Sequence, residues 1–353
     1  MRLLEISRPQ PGRAPSDVVR TFVFMANLEA QEASGDAAAS VTAEQVLTRL
    51  KGSAESDVAL FALVDDTVTP ILAPTGELGY GLLAATGSDT DVEVAGFLLI
   101  SLPLLEDTDL AELDVTLDAQ YLPLPGEKMD DQARAIRDEL LSHGRKIAAT
   151  HFDRRRFVVF TDVSEPAPPA PFRPAVTLTT TAMAVPENDV PVAADAVFLQ
   201  GFGARSEYAP QIAELLSQAS ADIDNGELDL APQSWDTRRL EEAAARLRDR
   251  GDRQLLTLLV QGGEVLALSE ITLRADPTTQ VAELGMTTTK RARRGRGLAR
   301  RALTQAIARL RREYPRVETM YASAAGTDDA SQALYAPYRP RTIDVARGWV
   351  ATG

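Results

Sequence analysis

A strand, a glycine turn and a long helix follow one another in residues 281–312, and this segment constrains the fold more than any other. β-Branched residues are frequent in residues 281–289, which predicts a strand. A basic turn with Gly295 and Gly297 follows, and helical spacing of apolar residues predicts a helix from about Leu298. Such a turn lets the backbone approach an anion and leaves the first N–H groups of the helix free, at the positive end of its dipole. The sequence therefore predicts a phosphate or pyrophosphate site at this turn.

The spacing of the turn residues distinguishes three kinds of phosphate site. A P-loop requires G-x-x-x-x-G-K-[ST], which the sequence lacks. A dinucleotide fingerprint requires G-x-G-x-x-G/A, but counting from Gly295 its last position is Arg300, whose side chain would obstruct close helix packing. What remains is the run R-G-R-G-L-A, which consists of Arg294, Gly295, Arg296, Gly297, Leu298 and Ala299.

This run resembles the R/Q-x-x-G-x-G/A motif of the GCN5-related N-acetyltransferase (GNAT) superfamily, in which loop amides hold the pyrophosphate of acetyl-CoA. Glu283 stands at the start of the preceding strand, where some members carry a general base. The run A-S-Q-A-L-Y at residues 330–335 resembles the family's helix whose tyrosine lies near the cofactor sulfur. The alternative is an ordinary amphipathic surface helix preceded by a glycine turn. By this resemblance, positive charge at the site would come from Arg291, Arg293, Arg294 and Arg296.

The resemblance implies an α+β fold with two GNAT-like domains, each a mostly antiparallel central sheet flanked by helices. A proline-rich segment at residues 164–175 predicts a stiff linker. It separates an N-terminal domain, residues 1–163, from a C-terminal acetyl-CoA-binding domain, residues 176–353. A length of 353 residues also favours two domains. The resemblance is firm over residues 255–335 and weakens before them, becoming only topological in the N-terminal half.

The N-terminal half lacks the glycine turn. A long helix is predicted over residues 129–149, but residues 119–128 before it contain Pro123 and Pro125, which have no N–H to donate. Glu127 adds negative charge where a phosphate would lie. We therefore expect a degenerate copy that does not hold the cofactor in the usual way. Whether it binds another ligand stays open.

Two further segments of the C-terminal half carry predictions. A helix is predicted around residues 190–202. The acidic segment 222–230 matches a calcium loop only in part, through Asp222, Asp224 and Gly226. A solvated loop at the rim of the acceptor site is the favoured interpretation, and no metal site is expected.

Composition limits the chemistry and the partners. A formal net charge of -14 argues against bulk affinity for nucleic acid or anionic membrane, although residues 290–312 are basic enough to suit a polyanionic cofactor. The sequence has no cysteine, and its two histidines, His143 and His151, are not in a metal spacing. Charged residues near the start and the lack of a long apolar run predict a cytoplasmic protein.

The resemblance also assigns catalytic roles. The backbone at Thr287 and Thr289 would run beside the pantetheine arm, with the Thr287 amide facing the thioester oxygen. Glu283 is the candidate base, directly or through water, and the alternative is a strand-end carboxylate paired with an arginine. Tyr335 is the candidate acid for the thiolate, in competition with Tyr338, and the alternative is a tyrosine packed in the core.

The reaction implied is transfer of acetyl from acetyl-CoA to a primary amine of a small molecule or peptide, by direct attack. We expect no nucleic-acid or membrane partner and a monomer or homodimer, and the acceptor stays open. One alternative is a catalytically silent GNAT-fold binding or regulatory protein, suggested by the degenerate half and by Asp328, Arg339 and Pro340, which depart from the usual family residues. Another is a nucleic-acid-binding module that uses the basic segment 290–301.

Overall fold

The computed structural model describes residues 1–34, 40–65, 74–87, 92–123, 127–274 and 280–353. The strands in these ranges are β1 (Arg2–Ile6), β2 (Ser56–Val64), β3 (Gly81–Leu83), β4 (Val94–Pro103), β5 (Leu110–Leu117), β6 (Arg156–Asp162), β7 (Arg173–Ala184), β8 (Ala196–Gln200), β9 (Arg253–Gln261), β10 (Glu264–Leu273), β11 (Val281–Thr289), β12 (Thr319–Ala325) and β13 (Arg341–Thr352). The helices are α1 (Asp17–Ser34), α2 (Ala43–Leu50), α3 (Asp131–Phe152), α4 (Ala209–Ser220), α5 (Thr237–Asp249), α6 (Leu298–Glu313) and α7 (Asp329–Tyr335). No helix in these ranges is long and apolar enough to cross a membrane.

The chain divides into two compact units. Unit 1 comprises Met1–Thr177, Gly226–Leu230 and Val345–Gly353, and unit 2 comprises Leu178–Asn225 and Ala231–Asp344. The first break follows the predicted linker, residues 164–175, closely, but Arg173 at its end already begins β7. Neither unit is contiguous in sequence, because two short later segments belong to unit 1.

Unit 1 is a mixed sheet with helices on both faces. Its strands lie in the order β3-β1-β2-β4-β5-β6, followed by residues 346–352 of β13. The β1–β3 and β5–β6 pairs are parallel and the others are antiparallel. Helices α1 and α2 pack in a cluster that includes Phe22 and Phe97, whereas α3 packs in another that includes Leu113 and Leu140. Because helices cover both faces, β2 and β4 are apolar on both sides.

Unit 2 repeats this architecture. Its strand order is β7-β12-β11-β10-β9-β8, and only the β11–β12 pair is parallel. Helices α4 and α5 pack on one face with Leu268, and α6 packs on the other face with Leu284. The predicted α+β fold with a mostly antiparallel sheet flanked by helices is confirmed. The helix predicted around residues 190–202 is wrong, because β8 occupies Ala196–Gln200 and pairs with β9.

Candidate active site

Strands β11 and β12 separate at the centre of unit 2. They pair in parallel only through residues 281–283 of β11 and 319–321 of β12. Both strands then continue, to Thr289 and Ala325 respectively. The facing backbone edges beyond Glu283 are therefore not paired with each other, and a gap opens between the strands.

A β-bulge lies in β11 just beyond the last of these pairs. The register with β10 shifts between Ser269 and Ile271, so Gly285 and Met286 together lie opposite the single residue Glu270. A bulge bends its strand and increases the local twist. The distortion of β11 thus coincides with its departure from β12.

The amides of Thr287 and Thr289 face the gap. The Lys290 N–H donates to the Leu266 carbonyl of β10 at 2.9 Å, and alternate residues of an antiparallel strand direct their backbone groups to opposite edges. The N–H and C=O groups of Thr287 and Thr289 therefore point away from β10. In agreement, the Thr289 carbonyl accepts a hydrogen bond at 3.1 Å from Gln218 of α4.

The glycine turn between β11 and α6 is open. Gly295 and Gly297 have φ of +75° and +72°, in the left-handed region that favours glycine, and a Cβ added at either would meet no atom within 4 Å. Gly297 is the N-cap of α6 and supplies no side-chain cap. None of the described residues accepts a hydrogen bond from the backbone amides of residues 295–299. Free donors at the positive end of a helix dipole suit an anion.

Residues of α4 and the loop after it fix the basic side of this turn. The Gln218 side chain donates to the Thr289 carbonyl and accepts from the Arg291 amide at 2.9 Å. Asp222 binds Arg291 at 2.6 Å and also binds Arg294. The Arg291 guanidinium, followed by that of Arg294, holds the pKa of the Asp222 carboxyl below its usual range. This acidic residue therefore organises the turn, whereas a solvated loop was expected.

A second carboxylate, that of Glu264, forms ion pairs with two more basic side chains at this turn. Glu264 binds Lys290 at 2.7 Å and Arg293 at 3.2 Å, and these contacts, Lys290 first, lower its pKa. In the described part of the chain, Arg296 and Arg300 have no ion-pair partner, and both are exposed. Of the arginines expected to assist anion binding, only Arg296 therefore has no ion-pair partner among the described residues.

The candidate base, Glu283, is paired with an arginine. Its Oε1 accepts from Nε and Nη2 of Arg274 at 2.9 and 2.7 Å. Glu283 is the last residue of β11 that pairs with β12, so the ion pair lies at the start of the gap. The structure thus shows the strand-end pairing that was the alternative, and the catalytic role stays a prediction.

The candidate acid, Tyr335, is a buried side chain at the end of α7. It belongs to the same hydrophobic cluster as Leu284 and Ala322, the first residues of β11 and β12 beyond their last pair. Burial, followed by the negative charge of Asp328, raises the pKa of its phenol. Tyr338 lies outside α7, and its hydroxyl is 3.4 Å from Thr304 Oγ1. The position of Tyr335 fits both the predicted role and a packed core tyrosine.

Sequence reasoning missed Glu270, a carboxyl of β10 that is only 8% exposed. Its Oε2 accepts from the Met286 amide of the bulge at 3.3 Å, and Oε1 has no hydrogen-bond partner among the described residues. Burial raises its pKa to about 7, and the Met286 hydrogen bond opposes this only in part. The one available signal was a single acidic residue in an otherwise apolar run, V-L-A-L-S-E-I-T-L.

The corresponding turn of unit 1 is built differently. Asp130 is the N-cap of α3, and its side chain accepts from the Ala133 amide at 2.7 Å. Asp118 accepts from the Gln120 amide at 3.0 Å at the end of β5, which pairs with β4 without a register shift. Pro125 lies outside the described residues. A carboxylate thus takes the place that a bound anion would need at the start of α3.

The two separating strands and the glycine turn lie within a segment that matches a family model. Residues 220–337 match the model of the Acetyltransferase (GNAT) family. The chain therefore carries a GNAT domain in its C-terminal half, and the resemblance stated from the glycine turn is confirmed. No curated protein matches the sequence.

Solved structures extend this likeness to the whole chain. A tandem GNAT protein from the clavulanic acid biosynthesis pathway has a TM-score of 0.64 at 18% identity, covering 99% of this chain and 98% of that one. A GCN5-related N-acetyltransferase from Sphaerobacter thermophilus has a TM-score of 0.58 at 14% identity, covering 99% and 96%. The fold of this chain is that of tandem GNAT proteins.

Proposed function

We propose that unit 2 is an N-acetyltransferase that transfers acetyl from acetyl-CoA to a primary amine of a small molecule or peptide. The observation that carries this proposal is the open turn at Gly297, where the amides at the start of α6 have no acceptor among the described residues and lie beside the gap between β11 and β12. An ordinary surface helix would need neither an unfilled turn nor two parallel strands that separate next to it.

The residues present fit coenzyme A. Amides of residues 295–299 would bind the pyrophosphate, and the exposed guanidinium groups of Arg296 and Arg300 would add charge-assisted hydrogen bonds. The Thr287 backbone groups and the Thr289 amide, which face the gap, would bind the pantetheine arm. The buried Thr289 hydroxyl also has no hydrogen-bond partner among the described residues, and a polar ligand would supply one. The thioester supplies the activated acetyl group.

Direct attack by the amine is the mechanism that fits these residues, because the sequence has no cysteine to form a covalent intermediate. Tyr335 is the candidate donor of a proton to the leaving thiolate. We propose no nucleic-acid or membrane partner and a monomer or homodimer. The ion pairs of Asp222 and Glu264 with the basic turn count against its use as a nucleic-acid surface.

Calorimetry with acetyl-CoA tests the assigned turn. The variant Gly297→Glu places a carboxylate among the anion donors and is expected to abolish binding. Gly262→Glu is the matched control, because Gly262 also has a positive φ, +59°, and also has open space at its Cβ, but lies in the β9–β10 hairpin. Equal affinity in the two variants would remove the turn at Gly297 from the cofactor site.

Turnover is tested by thiol release from acetyl-CoA with a panel of amines that spans aminoglycosides, polyamines, amino sugars and peptide N-termini. Release with at least one amine, absent in Gly297→Glu, is the expected result. Binding of acetyl-CoA without thiol release from any amine would favour the second candidate, a silent binding or regulatory protein. The observation that favours this second candidate is that Arg274 already holds the Glu283 carboxylate.

A further inference from the structure

We propose that Glu270, and not Glu283, binds the ammonium group of the acceptor and takes the proton that it must lose. This inference rests on the proposed acetyl transfer and names its proton acceptor. It also places the amine subsite on the α4–α5 face of the sheet, over the bulge of β11.

The backbone places Glu270 beside an open stretch of β11. A Cβ added to Gly285 would lie 3.1 Å from Glu270 Oε2 and 3.2 Å from its Cβ, so both residues face the same side of the sheet. Gly285 is exposed although Glu270 next to it is buried. Its φ is not in the left-handed region, so backbone conformation does not require glycine here. Because Gly285 has no side chain, none covers Glu270 Oε2 at this point, and the proposed path of the amine to the carboxyl runs over this exposed glycine.

The two oxygens of Glu270 have different surroundings. Oε2 is occupied by the Met286 amide, and Oε1 is buried without a partner among the described residues. A buried carboxylate oxygen without a partner is unfavourable, and an ammonium group that reached it would supply both a hydrogen bond and an opposite charge. The site is therefore incomplete until a cationic donor binds.

Surrounding charges leave Glu270 available for this role. The elements packed against its face carry Glu283 on β11, Glu214 on α4 and Arg239 on α5, but none of them contributes to its pKa. Only burial and the Met286 amide do, and they bring the pKa to about 7, where a carboxylate can accept a proton and release it again. Glu283, by contrast, already has a cationic partner, because its Oε1 accepts two hydrogen bonds from Arg274.

The acceptor R–NH3⁺ gives one proton to the Glu270 carboxylate, and the nitrogen lone pair of R–NH2 attacks the thioester carbonyl carbon. A C–N bond forms, the C–S bond breaks, and its electron pair goes to sulfur. The second proton of the nitrogen neutralises the thiolate, directly or by exchange through Tyr335. Glu270 then returns its proton to water, so the products are the amide, the free thiol and one proton.

The test compares Glu270→Gln and Glu283→Gln in the pH profile of kcat/KM. An amine acceptor with a pKa well above 9 is used, so that a limb near neutrality cannot come from the substrate. Wild type is expected to show a limb near the pKa of Glu270. Glu270→Gln is expected to lose this limb and at least about 100-fold in kcat/KM, the lower end of the usual range for general-base catalysis, whereas Glu283→Gln keeps the limb.

Three measurements separate the outcomes. Acetyl-CoA affinity and the melting temperature show whether Glu270→Gln stays folded; because glutamine keeps an oxygen for the Met286 amide, both are expected to persist. Gly285→Ala, which narrows the path, is expected to raise KM for the amine and leave acetyl-CoA affinity unchanged. An unchanged limb in Glu270→Gln, or its loss in Glu283→Gln, overturns this inference alone. Absence of thiol release from wild type with every amine overturns the proposed function as well.

Discussion

Replacing Glu270 by glutamine should change how the stability of unit 2 depends on pH. In the folded chain this carboxyl is buried and its pKa rises from the ordinary 4.5 to about 7. In the unfolded chain it is solvated and titrates near its ordinary value. Glutamine has nearly the same shape, can accept from the Met286 amide, and does not titrate, so the variant isolates the ionisation of one group.

Whether the free energy of unfolding rises or falls with pH depends on which state, folded or unfolded, binds the Glu270 proton more tightly. Between pH 4.5 and about 7 the unfolded chain gives up the Glu270 proton and the folded chain retains it, so the free energy of unfolding falls as the pH rises. The contribution is fully present below the ordinary pKa and is lost once the pH exceeds the folded value. Between about pH 5 and about pH 9, wild type should lose about 2 to 3 kcal/mol relative to Glu270→Gln.

The assay is denaturant unfolding followed by tryptophan fluorescence. The sequence has two tryptophans, and Trp349 belongs to unit 1, so Trp349→Phe leaves Trp235 as the reporter of unit 2. Unfolding is measured with and without Glu270→Gln in this background, at both ends of the pH range. Other groups titrate equally in both proteins and cancel in the difference.

If the difference in unfolding free energy between the two proteins is the same at both pH values, Glu270 titrates normally and is not a desolvated carboxyl. The proton acceptor inferred for the amine would then lose its physical basis. A reversed slope, with wild type gaining stability at high pH, would instead mean that a cation holds Glu270 in its charged form.

Two further predictions concern the turn and one concerns unit 1. In calorimetry, Arg296→Ala should weaken acetyl-CoA binding by about 1 kcal/mol, which is roughly fivefold in Kd, and the loss should be smaller at high salt. The control is Arg293→Ala, which removes a side chain already paired with Glu264 and should have a smaller effect. Gln218→Ala should raise the Kd by a similar factor, because it removes the hydrogen bonds to the Thr289 carbonyl and the Arg291 amide that hold the end of β11 and the turn in place. The control is Gln211→Ala, which removes two similar hydrogen bonds to the β9–β10 hairpin and should leave the Kd unchanged. Deletion of residues 345–353 should unfold unit 1, seen as loss of amide protection in hydrogen exchange, while the truncated chain still binds acetyl-CoA. Protection of the β6 amides in the truncated chain would contradict this.

The parts of the site that could be predicted are those encoded locally. The strand, the glycine turn and the start of α6 follow one another within residues 281–298, so periodicity and turn chemistry were sufficient to predict them. Gln218 and Asp222 contact this segment from far away in the sequence, and a motif does not encode such contacts. Glu270 depends on the register of a bulge, which no local pattern specifies.

The pairing partners of β7, β8 and β13 also could not be predicted from local sequence patterns. The segment 190–202 has apolar residues that fit a helix or a strand, and its pairing with β9 decided the outcome. The strand beside β12 is β7, which begins in the proline-rich segment, and the strand beside β6 is β13. Tertiary packing decides which neighbouring strand β7 and β13 pair with. A division of the chain at a single linker therefore could not predict that β13 pairs with β6 of unit 1.

The place of β13 has a consequence during protein synthesis. Residues 346–352 pair with β6, and the indole of Trp349, in the core of unit 1, donates to Thr161 at 3.0 Å. The ribosome makes this segment after every residue of unit 2. Until translation has passed unit 2, unit 1 therefore lacks this strand, and the edge of β6 that it covers has no such partner. The unit that begins first along the messenger is thus the last to be completed.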